Sequence, residues 1–465
     1  MNLQIITSFV IYAFILIFIS YIFSRKSKNS SEFILGERST NYWVTAIALQ
    51  ASDMSHWLFL GLPSVIYTFG LIRVWEIFGL MFFMFLNWHF IAPKIRIATE
   101  KLGTITLFSY FEKRFNDTSG QLRILTSVIA IVFFTFYISS GLVAMGRLFE
   151  SAFGISYQLG IFLGLFTTIT YTLIGGFVAV AWCDFFQGLF AVAMIILVPT
   201  VAYSAIGGWQ DIVTAANTKG VSLSIIPQSV WQILSLFFVW GPGYFGQPHL
   251  LSFFMGIKDP KNIKYAKFIG LAWQAIVLLF ATLIGLIGLA YFQNGGEIIY
   301  ILLTKALFSP IIAGFILCAI LAVTLSTLDS QILTSGSVIA HDIYKKILKK
   351  KASPKAVLWT SRLGSLSISL VAVYIAHGDS NTIYELVQYA WSGMGSAFGP
   401  LVIISLYSNK ANKYGALAGI IVGALTSSLW PYFNSNAAPL IPGFLLSYVT
   451  IYAVSYITQK NHISK

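Results

Sequence analysis

Long apolar runs alternate with short polar interruptions along the chain, and the runs are close to the ~20 residues that cross a bilayer. Thirteen candidate spans follow, near residues 4–23, 42–68, 75–93, 122–148, 158–175, 178–206, 229–255, 266–293, 309–338, 359–377, 387–407, 414–430 and 440–458. Helices are expected throughout, because lipid leaves no partner for unpaired backbone groups. No gap is long enough for a soluble domain. The longest are 94–121, 207–228 and 341–358, and the apolar stretch 107–111 beside basic residues predicts an element lying along the membrane surface.

Two spans break the pattern. In the second, Gln50, Ser52, Asp53, Ser55 and His56 crowd the middle of an otherwise apolar run. A carboxylate there costs about 2.5–3.5 kcal/mol unless it is paired or hydrated. In the seventh, Gly241, Pro242, Gly243, Gly246 and Pro248 preclude a regular helix, since each proline removes a backbone donor and each glycine loosens the chain. Unwound backbone at membrane depth persists only where it is buried in protein or lines a cavity. The breaks are five spans apart, so the two helices run in opposite directions. That is the arrangement expected of inverted repeats framing a midplane site. On this reading 42–206 is the first repeat and 229–407 the second, with one helix before them and two after, at 414–458.

Composition agrees with the membrane reading. Charged residues are 10% of the chain, against roughly 25% in soluble proteins, and mean hydropathy is +0.79. The formal net charge of +13 suggests nucleic acid only until position is considered. With the N-terminus outside, 25 of the 29 Lys and Arg fall in inner segments. Only Arg73, Arg147, Lys219 and Lys305 lie on the outer side, so the positive-inside rule gives N-out and C-in. The first apolar run reads as a span rather than a cleaved signal, because Arg25 and Lys26 follow it. Cys183 and Cys318 suggest neither a disulfide framework nor a zinc site. The glycine cluster at 393–399 lacks the Lys-Ser/Thr of a phosphate loop and reads as close helix packing. No nucleophile–base set suggests an enzyme, and nothing calls for an obligate protein partner.

Candidate chemistry concentrates on the ninth span. Val323, Ser326, Thr327 and Ser330 recur at i, i+3, i+4 and i+7 on one helical face, with Asp329 at its edge. Hydroxyls there often bond only to their own helix. Facing freed carbonyls of a broken helix, they would make an all-oxygen cage suited to Na+. Asp184, in the sixth span, is a second intramembrane acid.

The strings Ala51-Ser52-Asp53-Met54-Ser55, Gly243-Tyr244-Phe245-Gly246-Gln247-Pro248-His249 and Leu325-Ser326-Thr327-Leu328-Asp329-Ser330-Gln331 resemble the sodium/solute symporter family, and most closely its proline-transporting branch. The resemblance extends over Phe33 to Arg38, Tyr137 to Glu150, Gly175 to Asp184 and Trp391 to Pro400, nearly the whole chain. It implies an all-α LeuT-type fold of 5+5 inverted repeats in the plasma membrane, importing a small solute with Na+ by alternating access. It further implies a Na+ site built from the carbonyls of Ala51, Met54 and Val323 with the hydroxyls of Ser326 and Thr327. Asp53 would support coupling, and Asp184, Asp329 and Ser330 match a second Na+ site held by some relatives. Ser55, Trp57, Tyr137, Trp240, Tyr244 and Pro248 would line the solute pocket. The implied solute is L-proline, whose ring is apolar and whose ammonium suits an aromatic face. Other small solutes remain open, among them another amino acid, pantothenate or a sugar acid, as do a proton-coupled carrier and a non-transporting sensor. His56, where the family pattern has a small residue, and Val323, in place of alanine, depart from that pattern.

Overall fold

A computed structural model describes residues 3–24, 34–378, 382–433 and 437–463. Arg25, Lys26, Phe33 and the candidate boundary residues beside them lie outside the described residues. Ten of the described helices are long and apolar enough to cross a membrane. They are α1 (Leu3–Phe23), α3 (Leu71–Lys101), α5 (Gln121–Phe153), α7 (Gly176–Ser204), α10 (Pro260–Tyr291), α12 (Pro310–Leu348), α13 (Pro354–Ala376), α14 (Ile383–Tyr407), α15 (Lys413–Phe433) and α16 (Leu440–Gln459). Two further spans are broken: α2, in halves Tyr42–Met54 and Gly61–Phe69, and α9, in halves Val230–Phe238 and Pro248–Gly256. The thirteenth is α6, starting at Tyr157 within a continuous helical stretch to Ser204 of 48 residues. A straight helix of that length would measure roughly 72 Å, more than twice a bilayer core. Gly176, at φ 65° and ψ −176°, divides it where the sequence places a boundary.

Short helices complete the chain: α4 (Leu107–Arg114), α8 (Trp209–Lys219) and α11 (Ile299–Leu307). The expectation of a membrane-surface element at 107–111 is corrected here. Leu107, Phe108, Tyr110 and Phe111 are all buried in protein. Thr106 and Ser109 form a capping box at the start of α4, Phe108 packs its ring 5.8 Å from that of Phe398, and the Tyr110 hydroxyl donates to Ser405 Oγ at 3.2 Å. Its basic neighbours are used in bonds to protein: Arg114 Nε donates to the Ser405 carbonyl at 2.7 Å.

The two broken helices meet end to end in opposite senses. Lys258 N, just past α9, donates to the carbonyl of Thr40, just before α2, at 2.8 Å. The start of one thus adjoins the end of the other. Arg38 and Arg96 reinforce this corner, Arg38 Nη2 donating to the Thr104 carbonyl at 2.8 Å and Arg96 Nε to the Ile257 carbonyl at 2.7 Å. Burial pushes the Arg38 guanidinium down to about 10, which leaves it charged at neutral pH. Thr106 Oγ1 then bonds Asp342 at 3.0 Å, and Asp342 pairs with Arg123. Arg123 and Lys346 both pair with Glu112. Basic residues from separate inner segments therefore gather at one end of the molecule, as the charge pattern predicts.

The centre is formed by α12 and α14, which are buried along most of their length. Helices α1, α15 and α16 are peripheral, with Phe14, Phe18, Leu445 and Tyr456 exposed as lipid-facing side chains would be. The glycine cluster of α14 packs directly on the break in α9. A Cβ on Gly395 would lie 2.7 Å from Gly243 Cα, and one on Gly246 only 2.6 Å from Gly399 N. Backbone is in contact with backbone, so the small residues there are required by packing.

Candidate functional site

Asn41 caps the first half of α2 through Val44 N at 2.9 Å. The helix ends at Met54 because Ser55 turns to φ 51° and ψ −170°, outside the region a helix requires. Ser55 Oγ accepts from Trp57 N at 3.2 Å and steadies the turn. The polar stretch seen in the sequence is therefore the break itself. In α9, residues Gly241–Gly246 form a tight 3-10 turn between the two halves. Gln247 Nε2 donates to one of its carbonyls, Gly243 O, and also to Trp391 O on α14, both at 3.1 Å.

Between the breaks lies a cavity. It brings together Asp53, Ser55, Trp57, Tyr137, Trp240 and Tyr244, and adds Met54, Leu80, Val387 and Trp391. Its wall is aromatic: Tyr244 and Trp391 meet edge to face with centroids 5.2 Å apart, and Trp57 meets Trp240 at 5.6 Å. Trp391 Nε1 donates to the Trp240 carbonyl at 2.8 Å, which fixes the Trp391 ring. Pro248 is not among these residues. It lines a separate cavity with His249, Ser252, Ser330 and Ser337 toward the basic end of the molecule. The Tyr137 and His249 rings, 6.0 Å apart, stand between the two spaces.

The acid is connected to the aromatic wall. Tyr244 OH donates to Asp53 Oδ2 at 2.8 Å. Gln274 on α10, which the sequence did not single out, places Nε2 at 3.4 Å from that hydroxyl and 3.2 Å from Met54 Sδ, and its Oε1 accepts from Gln50 at 2.6 Å. A glutamine in an apolar helix is a visible signal, but its partners are not.

On the other side of α2 the contacts are with α12. Ser326 Oγ donates to Ala51 O at 2.8 Å and lies 3.1 Å from Val323 O. Thr327 Oγ1 lies 2.9 Å from Ser52 O and 3.0 Å from Val323 O. Five oxygens, three of them carbonyls, thus converge in a fully buried place. Ser52 contributes a carbonyl the sequence reading did not include, whereas Met54 is linked through its sulfur to Gln274. Ser330 Oγ bonds Ser52 Oγ at 2.6 Å, extending the hydroxyl line. Asp184 and Asp329 are both buried, and among the described residues neither carboxylate oxygen of Asp184 has a hydrogen-bond partner. Among the described residues no group of three or more His, Cys, Asp or Glu is placed to hold a metal ion, so the arrangement does not resemble a transition-metal centre.

Residues 33–423 match the sodium:solute symporter family. The chain belongs to this family. As a sodium:solute symporter it is a transporter and not an enzyme, a multi-pass protein of the cell membrane that couples movement of a solute to Na+. It is 41% identical to the high-affinity proline transporter PutP of Bacillus subtilis over 457 residues, 96% of each chain. It is 40% identical to the osmoregulated proline transporter OpuE of the same organism, covering 99% of this chain and 96% of that one. Identity to the sodium/proline symporter of Escherichia coli is 38%, over 97% of this chain and 93% of the other. Among solved structures, a Na+-coupled sialic acid symporter in a substrate-bound outward-open state matches with a TM-score of 0.82 at 20% identity, over 98% of both chains. Mhp1, a nucleobase-cation-symport-1 family transporter in a closed conformation, matches with a TM-score of 0.59 at 13% identity, over 93% and 95%. The symporter fold is thus the LeuT-type helical one that the two opposed broken helices imply.

Proposed function

We propose that this symporter takes up L-proline with Na+, the solute sitting in the aromatic cavity between the breaks of α2 and α9. The observation that carries this is the lining: Trp57, Tyr137, Trp240, Tyr244 and Trp391 around the Asp53 carboxylate. An apolar ring fits such walls, and a secondary ammonium suits both an aromatic face and an acid. The names of the three relatives above, each near 40% identity across nearly the full length, favour the same solute. Ser55, Trp57, Tyr137, Trp240 and Tyr244 are assigned to the solute, and Pro248 to the route from the cavity toward the inner side.

Na+ is assigned to the oxygens of Ala51, Ser52, Val323, Ser326 and Thr327, supported by their convergence. Hard cations take such oxygen sets. Met54, at the last turn of α2's first half, and Asp53 support the site rather than complete it. Asp184, Asp329 and Ser330 are assigned to a second Na+. The repeats are 42–206 and 229–407, supported by the antiparallel meeting of α2 and α9.

Purified protein in proteoliposomes tests the reading. With an inward Na+ gradient and a negative interior, labelled L-proline should accumulate, each co-transported charge gaining about 2.3 kcal/mol per 100 mV. Replacing Na+ by choline at constant pH should abolish accumulation. Accumulation that instead follows a proton gradient would refute the Na+ assignment. Saturating uptake of a different amino acid, pantothenate or a sugar acid, with proline inert, would refute the solute.

A further inference from the structure

The solute cavity has a second neighbour besides the inner space. On the side that the basic residues avoid, a larger vestibule is lined by Arg73, Val239, Tyr384, Gln388 and Trp430. Arg73 and Tyr384 face that vestibule, while Trp240 and Val387 face the solute cavity. What separates the two spaces is a compact set of side chains from three elements: the start of α3, the break of α9 and the start of α14.

Glu76 is at the middle of this wall, its side chain 0% exposed. Arg73 Nε pairs with Glu76 Oε1 at 2.8 Å, and the Arg73 side chain is 20% exposed. Trp240 Nε1 donates to Glu76 Oε2 at 2.9 Å. Arg73 Nη2 donates to the Tyr384 hydroxyl at 3.2 Å, and that hydroxyl lies 3.5 Å from Glu76 Oε2. The Tyr384 ring stands edge-on to Trp240 with centroids 5.2 Å apart. The Arg73 guanidinium also lies 5.0 Å above Phe69, at the end of α2. One carboxylate therefore ties together α3, α9 and α14, and through Arg73 it touches the last residue of α2.

We propose that Arg73 and Glu76, one turn apart at the start of α3, are positioning residues that latch the outer wall of the solute cavity by holding Trp240 and Tyr384, and that releasing those contacts opens the cavity to the outer vestibule. Three features support a latch over a fixed brace. The Glu76 carboxylate is dry, so moving Trp240 and Tyr384 away strips it of two hydrogen-bond partners and leaves a buried charge that must be hydrated. The adjoining vestibule supplies that water only if the wall opens. Trp240 belongs to both structures, since its indole N–H holds Glu76 while its ring lines the cavity. Solute packed against that ring acts on the same side chain that holds the latch, which links occupancy to closure without another moving part.

The proposal rests on the aromatic cavity being the solute site only for its last step, and accessibility tests the latch whatever the cavity holds. Val387→Cys places a thiol on the cavity side of the wall. Native Cys183 and Cys318 are buried, so the parent protein supplies the background. A membrane-impermeant thiol reagent is applied from outside or inside to protein reconstituted in one orientation, without solute. Adding Arg73→Ala should raise the outside labelling rate roughly tenfold. Glu76→Gln keeps an acceptor for the indole and removes the charge, and should raise it about threefold. Labelling from inside should stay level or fall in both. Equal increases from both sides would mean general loosening and would overturn the latch, as would unchanged outside labelling. If Arg73→Ala does not reach the membrane, Glu76→Gln decides alone. Failure of proline uptake by the parent protein, with side-specific labelling of the cysteine variants intact, would refute the solute and leave the latch standing.

Discussion

Helix α2 is shared by two regions built on opposite plans. Toward α12 everything is small: carbonyls of Ala51, Ser52 and Val323 meet the hydroxyls of Ser326 and Thr327 at 2.8 to 3.1 Å. Toward α9 and α14 everything is large: Trp57, Trp240, Tyr244 and Trp391 meet ring to ring at 5.2 to 6.5 Å. An ion is selected by the number and placement of oxygens, so its cage is best made of backbone and short side chains on two packed helices. An organic solute is selected by shape and desolvation, so its pocket needs broad faces held by other side chains. The two plans meet at consecutive residues. Ser52 offers its carbonyl to Thr327, and Asp53 receives the Tyr244 hydroxyl. Any shift of α2 at this point is felt on both sides, which is the geometry a coupled carrier needs.

The largest expected effect separates the plans on the ion side. Thr327→Val keeps shape and deletes one hydroxyl, whereas Thr327→Ser keeps the hydroxyl and deletes a methyl. Losing an oxygen partner of a buried charged species costs about 1.5–3 kcal/mol, or more than tenfold in affinity. The valine variant should therefore need over ten times more Na+ for half-maximal uptake, with the serine variant near wild type. A packing role predicts the reverse order, because serine leaves a void. Na+ titrations of uptake at equal surface expression distinguish the two, and a valine variant with wild-type Na+ dependence removes Thr327 from the site.

How much of this was legible in the sequence follows the same division. The α12 side was readable because it depends on local periodicity: Val323, Ser326, Thr327 and Ser330 share a face by spacing alone, and the break after Met54 is written in the run from Gln50 to His56. The Ser52 carbonyl was not singled out because its contact with Thr327 depends on how α2 packs against α12, which no spacing shows. The side toward α9 and α14 was legible only where a motif marked it. Trp391, Leu80 and Val387 enter the cavity through the packing of α3 and α14, and no spacing within those helices points to the breaks. Glu76 reads as an ordinary acid near a helix start until Trp240 is seen beside it. The stretch 107–111 misled because an amphipathic look suits a protein groove as well as a lipid surface. Helix ends were also longer than the apolar runs, since α12 continues through Asp342 to Leu348 on ion pairs rather than hydropathy.

A smaller effect is expected where the plans meet. Tyr244→Phe keeps the ring against Trp391 and removes the hydroxyl bonded to Asp53. A hydrogen bond to a charged group is worth about 1.5–3 kcal/mol, but here solute or water replaces the lost donor, so roughly a threefold to tenfold loss is expected. It should appear in the dependence of solute affinity on Na+, while Na+ binding measured without solute changes little. Trp240→Ala, by contrast, should weaken solute binding at every Na+ concentration. Equal losses of both ligands in Tyr244→Phe would place the hydroxyl in folding rather than coupling.

The smallest effect concerns the residue that holds the junction from behind. Gln274 donates to nothing closer than 3.2 Å, with Tyr244 OH at 3.4 Å and Met54 Sδ at 3.2 Å, while it accepts from Gln50 at 2.6 Å. Its bond to Tyr244 is long, so deleting it should cost well under the ~1 kcal/mol of an ordinary neutral hydrogen bond. Gln274→Met retains length and volume in a buried position. Gln50 then loses its short partner, and that cost falls on stability rather than on either ligand. Two measurements therefore diverge: thermal stability in detergent should drop, while solute affinity falls by no more than about threefold and Na+ affinity by less. Replacing Gln50 as well, by Met, removes the orphaned amide and should recover stability without recovering solute affinity. If the double variant restores solute affinity too, Gln274 acts only by satisfying Gln50. If solute affinity stays reduced while stability returns, the tyrosine is held in place by Gln274, and the junction between the two plans extends to α10.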